Sequence, residues 1–484
     1  MPLLLALAPA FSLGASEQIF PEPPLQTSAQ LGIWKMQSRR AQAASAAATP
    51  QLLTFLGSPD LLDALKVCCP AAALLTPSQL LGRLRRETYS AELVHSFPIA
   101  VGPSTLGHHN HGFDETLAVF AERPTFVNQW QAWLLLGNGS TPSRFDPRVS
   151  STSTGFDPNI AETHIFGCPS FAVADRPSWT EASSRLIYIA HNLRQLDTGS
   201  TPFFGPIAAV FNTEAVKNMV LIAAVDTGIW EASCNRSAGG GGPVRSLNCS
   251  FWRGEPLGTL EHHDHLLLAN VGLWASAGSS GSVVLEAAKL FGRSPLAGDG
   301  PSAYTELAPI DGNRAERYYE SNLVGNPHQN SVKFLLPVFG SLFGTDTGSR
   351  VKAVAAQRGV PLVWALGDAT DGELHRIPPD VPYPGNLRIL DPAAASLLNV
   401  TLLPATPTAF DRAWATVSAA RAALNANGAL PSQQDVRDWW ARLEGGVPGL
   451  LRLAPLHNAS CVRGSECVGT VVGSGDCVCF SHMR

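Results

Sequence analysis

The chain has 484 residues, enough to bury a substantial core as one large domain or two smaller ones. An apolar fraction of 45% with only 15% charged residues describes an ordered globular protein and excludes a disordered one. The net charge of -5 excludes a nucleic-acid binder that works by neutralising phosphates, because no basic excess exists to displace counterions. The local basic groups Arg39-Arg40 and Arg83, Arg85 and Arg86 read as solvated helix faces.

Residues 1–15 form a short apolar run followed by small residues, the pattern of a signal-peptide core and cleavage site. The run is too short to span a bilayer and lacks a preceding Lys or Arg. A transit peptide or a buried segment is the other reading. No later run approaches the ~20 uncharged apolar residues of a membrane helix. Residues 16–50, rich in Pro, Ala, Ser and Gln, read as an extended lead-in with a short helix around Trp34–Ala46. Residues 51–94 alternate apolar clusters with prolines and read as helical, Ser78–Leu93 as an amphipathic helix. Phe126–Leu136 is a further predicted helix.

From about residue 164 short apolar runs appear between turn residues. Those at 185–193, 206–212, 218–226, 265–272, 331–339 and 361–367 are predicted strands. Helices are predicted at 282–291, 349–358, 408–424 and 433–443, with Asp391 as a helix N-cap. The segment 331–367 fits a βαβ unit or an antiparallel arrangement equally. The fold class is therefore α/β or α+β: a central mixed sheet with flanking helices, a helical N-terminal region and a short Cys-rich C-terminal tail. The chain divides into a signal peptide (1–15), an N-terminal helical region (16–125), an α/β domain (126–456) and the tail (457–484).

The tail holds Cys461, Cys467, Cys477 and Cys479 among Gly, Ser and Val. So little core-forming content needs cross-links to hold a shape, which favours disulfides and an oxidising compartment. Zinc is the rival, but Cys-x-Cys is not the usual knuckle and no His pair follows. Cys234 and Cys249 flank the glycines 239–242 and could close that loop; Cys68, Cys69 and Cys168 remain, an odd total. Asn138, Asn235, Asn248, Asn399 and Asn458 lie in glycosylation sequons. These features together predict a secreted or lumenal protein.

Three Asp-Thr-Gly tripeptides, at 197, 226 and 346, invite an aspartic-protease reading. The first two lie only 29 apart, too close for separate lobes, so they read as turns. The clusters His108-His109-Asn110-His111 and His262-His263-Asp264-His265 would suit a metal-dependent hydrolase if their rings converged; otherwise they are hydrogen-bonded core or solvated residues. The loop Gly340-x3-Gly344-x3-Gly348 before a helix could hold a phosphate but lacks the P-loop Lys.

Four ordered segments carry a resemblance. They are Phe126–Ser140; His164–Cys168 followed by Arg185-Leu-Ile-Tyr188-Ile-Ala190-His-Asn192-Leu193; Phe204-Gly205 through Phe211-Asn212 to Asp226-Thr227; and Tyr318-Tyr319-Glu320-Ser321-Asn322-Leu323-Val324-Gly325. Together, over roughly 126–367, they resemble a family of bacterial proteins of unassigned function with ADP-ribosyltransferase-like features. The resemblance implies cleavage of the nicotinamide–ribose bond of NAD, with NAD as substrate and no metal. Positive charge grows on the ribose in such a step, much as in glycoside hydrolysis, and a carboxylate beside the sugar stabilises it. It implies Glu320 as that carboxylate, Arg185 as the grip on the diphosphate, Thr227 as the hydroxyl that orders the site, and Tyr188 and Tyr319 as stacking or core residues. The acceptor would be a protein, a small molecule or water, with neither nucleic acid nor a membrane span involved. Asn322, Val324 and Leu186 depart from the family's Gln, His and Pro. The plainer alternatives are Glu320 as a solvated carboxylate on a helix 313–320 paired with Arg317, and Arg185 as a surface charge at a strand end. On those terms the chain is a secreted binding or matrix protein without catalysis.

Overall fold

The computed structural model describes residues 20–68, 70–97, 113–136, 159, 162–170, 176–192, 207–223, 227, 255–269, 320–337, 346–365, 387–390, 450–452, 466–471 and 477–480. The signal-peptide segment, the predicted helices at 282–291, 408–424 and 433–443, the Asp391 cap, the sequons, the first His cluster, Cys69, Cys234, Cys249, Cys461 and Tyr319 lie outside the described residues.

Among the described residues the predicted lead-in is helical from Ser28 onward and non-helical over residues 20–27. That strap is pinned to the 324–326 turn: the Asn326 N–H donates to the Leu25 carbonyl (2.7 Å) and the Gln26 amide to the Val324 carbonyl (2.7 Å). Next comes α1 (Ser28–Leu56), opened by a capping box in which Thr27 and Gln30 exchange side-chain and backbone bonds. It is far longer than the predicted short helix. Its buried positions are Gln30, Ile33, Gln37, Ala41, Ser45, Ala48, Leu52 and Leu56, a helical stripe made largely of small and polar residues. An apolar-periodicity reading passes over such a stripe. Helices α2 (Pro59–Cys68), α3 (Pro70–Ala73) and α4 (Pro77–Ser90) follow, and Leu61, Leu65, Leu80, Leu81 and Leu84 close a core against Leu52 and Leu56.

The N-terminal region is not only helical. It supplies β1 (Glu92–Phe97), a strand inside a seven-stranded sheet with β2 (Ile187–Asn192), β3 (Ile207–Phe211), β4 (Val220–Ala223), β5 (Leu257–Thr259), β6 (Glu320–Leu323) and β7 (Val332–Pro337). The order is β5-β4-β6-β2-β1-β3-β7, and every ladder is antiparallel. Helices α5 (Phe113–Glu122) and α6 (Gln129–Leu136) flank it. Strands β3 and β4 are buried at every position, which is why they show as unbroken apolar runs. The predicted strand at 265–272 is instead a helical turn at 264–269. Its short apolar run suits either state, and the Leu266 and Leu267 N–H groups close on the His263 carbonyl.

Beyond β7, α7 (Asp346–Arg358) leads to β8 (Val363–Ala365), the edge of a second sheet with β9 (Leu387–Leu390), β10 (Leu450–Arg452), β11 (Glu466–Val471) and β12 (Cys477–Phe480). A parallel bridge between Leu335 and Leu362 joins β7 to this unit, the βαβ alternative of the sequence. Asp346 and Gly348 sit inside α7, so the last glycine of the proposed phosphate loop is helical. In the tail, β11 and β12 set Cys467 directly opposite Cys479. Among the described residues no helix is long and apolar enough to cross a membrane.

Candidate functional site

The strand β6 is the anomaly of the sheet. Glu320-Ser321-Asn322-Leu323 is polar in three of four positions, yet all four are buried, and β6 lies between β4 and β2. Polar side chains rarely occupy such a place without a specific partner or task. Glu320 therefore does not sit on a solvated helix. Its carboxylate accepts hydrogen bonds from the Thr227 N–H (2.9 Å), the Thr227 hydroxyl (2.5 Å) and the Asn322 amide (2.9 Å). Thr227 itself is buried.

Pairing with β2 puts Ala190 opposite Glu320 and Tyr188 opposite Asn322, so Tyr188, Asn322 and Glu320 share one face of the sheet. The Tyr188 hydroxyl is buried and makes no well-formed hydrogen bond. Burial pushes its phenol well above the usual range, and the nearby Glu162 and Glu320 carboxylates add to the rise. Tyr188 thus stands between two acidic groups, one of which the sequence analysis did not single out. The Asn322 Oδ1 atom on the same face also has no donor.

Arg185 is no surface charge. Its side chain is 1% exposed, and its guanidinium donates to Glu162 (3.0 Å) and to Asn159 (2.5 Å) while lying 5.7 Å from the centre of the Trp130 ring. Glu162 is fully buried and also receives the Trp130 indole N–H (3.3 and 3.2 Å) and the Gln129 amide (3.4 Å). Burial raises the Glu162 carboxyl above its usual range, with Arg185 and Trp130 pulling the other way. Cys168, at the end of the same segment, is a free buried thiol pushed up by burial and then by Glu162.

Glu162 opens a π-helical turn, Glu162–Phe166, a geometry found often at functional sites. Polar hooks from α1 hold this turn and Arg185 in place. The Gln37 amide donates to the Ile165 and Phe166 carbonyls (both 3.0 Å), and the Gln30 amide to the Arg185 carbonyl (2.9 Å). Gly167, at φ 81°, lets the chain leave the turn, and a Cβ there would lie 2.9 Å from Met36 Cε.

The structure therefore joins Thr227 to Glu320, sets Tyr188 beside Glu320 and Glu162, and commits Arg185 to Glu162. Nothing in the sequence pattern around Glu162 marks it; only its place just before His164–Cys168, a segment of the resemblance, points that way. The second His cluster is held by ordinary bonds: His263 Nδ1 with the Thr259 carbonyl (3.2 Å), His265 Nε2 with the Leu257 carbonyl (2.9 Å), and Asp264 with Arg85 and Thr49. Among the described residues no group of three or more His, Cys, Asp or Glu is arranged to hold a metal ion. The architecture is that of a mixed helix-and-strand protein built on an antiparallel sheet. No family model matches the chain, and no curated protein matches it.

Proposed function

We propose that the chain is an exported ADP-ribosyltransferase-like enzyme that cleaves the nicotinamide–ribose bond of NAD and passes the ADP-ribosyl group to a protein, a small molecule or water. One observation carries the proposal: a carboxylate, Glu320, is buried in the middle of an apolar sheet and oriented by a backbone N–H, a hydroxyl and an amide. Three donors hold it aimed in one direction, as stabilising a ribosyl cation demands. Tyr188, on the same face, supplies an aromatic surface for the nicotinamide. Arg185 takes the diphosphate once Glu162 has moved off it, so substrate entry requires the 162–168 segment to shift. Export is supported by the Cys467–Cys479 register, which brings two thiol-bearing residues opposite each other in the tail.

The test is release of nicotinamide from NAD by the full chain. Glu320→Gln keeps the shape and loses two acceptor sites at most, so it should abolish release while the protein stays folded by circular dichroism. Turnover within twofold of the wild type in a folded variant would remove Glu320 from the chemistry.

A second reading is favoured by the Arg185–Glu162 pair, which is sealed from solvent. In a secreted binding or matrix protein without catalysis, that pair and the Glu320–Thr227 contact hold strands together and bind no dinucleotide. A thermal-shift titration with NAD separates the two readings.

A further inference from the structure

Prolines set the character of the strap at residues 20–27. Pro21, Pro23 and Pro24 fix φ at about −65°, push the residues before them out of the helical region and carry no N–H, which presets the segment for polyproline II. Its backbone polar groups are then mainly carbonyls, and the body of the protein meets them with donors. Arg123 donates to the Phe20 carbonyl (3.2 Å), the Trp179 indole N–H to the Pro21 carbonyl (2.9 Å), and the Asn326 side-chain amide to the Pro24 carbonyl (3.2 Å), beside the Asn326 N–H on the Leu25 carbonyl. Phe20 stacks on Trp179, with centroids 4.5 Å apart and planes 23° apart, and the Arg123 guanidinium lies 5.2 Å from the centre of the same indole. Glu22 receives Arg123 (2.8 Å) and the Thr125 hydroxyl (2.5 Å). Gly325 completes the cradle, since a Cβ there would lie 2.8 Å from the Leu25 carbonyl oxygen. Yet within the strap only Pro23 is buried, while Pro21, Glu22, Pro24 and Leu25 are exposed. A segment of the core would bury apolar side chains. This one, with Pro21 and Pro24 in Pro-x-x-Pro spacing, is held from outside by an aromatic ring and by donors to its carbonyls, as proline-rich ligands are held in aromatic-lined grooves.

We propose that the surface built by Arg123, Thr125, Trp179, Gly325 and Asn326 is a recognition site for extended, proline-rich peptides carrying one acidic residue, and that residues 20–25 are its resident ligand. A partner protein bearing an aromatic-Pro-acidic-x-Pro segment competes with the strap for the same donors. The site does not depend on the NAD reading.

Fluorescence anisotropy of a labelled peptide with the sequence of residues 20–26, Phe-Pro-Glu-Pro-Pro-Leu-Gln, titrated with the full chain tests it. Glu22→Arg sets a cation against Arg123 and lifts the chain's own strap, while every residue of the groove stays native. Freed of a competitor held at roughly millimolar effective concentration, the groove of that variant should bind the peptide at least about tenfold more tightly than the wild type does. Adding Trp179→Ala should weaken the binding about tenfold, through the lost ring stack and hydrogen bond. The same peptide with Arg in place of Glu should not bind. Phe20→Ala, which removes only the stack on Trp179, frees the groove more gently and takes the place of Glu22→Arg if that chain does not fold. A folded variant that binds the peptide no better than the wild type, or binds the charge-reversed peptide equally well, overturns the site. Loss of the fold in both variants, read by circular dichroism, would make the strap a structural part of the protein and overturn the proposal as well.

Discussion

At the scale of single residues, the decisive feature is the ion pair of Arg185 with Glu162, both sealed in the core. Removing one partner leaves an uncompensated buried charge, which costs about 3–5 kcal/mol. Arg185→Met should therefore destabilise the protein by that amount in urea unfolding. Arg185→Met combined with Glu162→Leu should recover most of the loss, because neither charge then remains. The loss in the single variant should also shrink at acidic pH, where the raised Glu162 carboxyl takes up a proton. Losses that simply add in the double variant would show that the two side chains do not act as a pair. The sequence made Arg185 and Glu320 legible through the resemblance but not Glu162. A lone Glu between an Ala and a Thr carries no pattern, and its role is created wholly by the side chain that meets it from 23 positions away.

At the scale of elements, α1 does more than pack. Gln30, Gln37 and Ser45 on its buried stripe reach backbone groups at Arg185, at Ile165 and Phe166, and at Asp264, tying three distant segments to one helix. Gln37→Leu keeps the volume and leaves two buried carbonyls without a donor, so it should cost about 1–3 kcal/mol. Lys35→Leu, exposed on the same helix, should cost little. Equal thermal stability of the two variants would show that the Gln37 hooks are dispensable. The predicted strands at 185–193, 206–212, 218–226, 331–339 and 361–367 all contain strands, since a run of apolar residues of strand length suits a buried sheet whatever its neighbours. The polar strand β6, the helical turn at 264–269 and the full length of α1 broke the same rule from the other side. Their burial is decided by partners rather than by their own composition.

At the scale of the whole molecule, stability is linked to acid through histidines buried in neutral form. Burial lowers His263 to about 4 from the ordinary 6.5, and lowers His265 and His95 as well. The unfolded chain takes up these protons first, so stability is fully present above pH 6.5 and lost as pH falls through about 4. For His263 alone the gap corresponds to about 3 kcal/mol. His263→Gln should flatten the fall in unfolding free energy between neutral pH and pH 4 by about that amount; an unchanged slope would mean the ring is not held neutral.

Composition, charge and local apolar runs by themselves determined that this is an ordered mixed helix-and-strand chain, and they located most of its apolar strands, because those properties act over a few neighbouring residues. Only the tertiary structure placed β1 between β2 and β3, set β6 between β4 and β2, and brought Glu162 to Arg185 and Thr227 to Glu320. Such pairings join segments far apart in the chain, and their free energy lies in burial and hydrogen bonds that exist only after the sheet has closed.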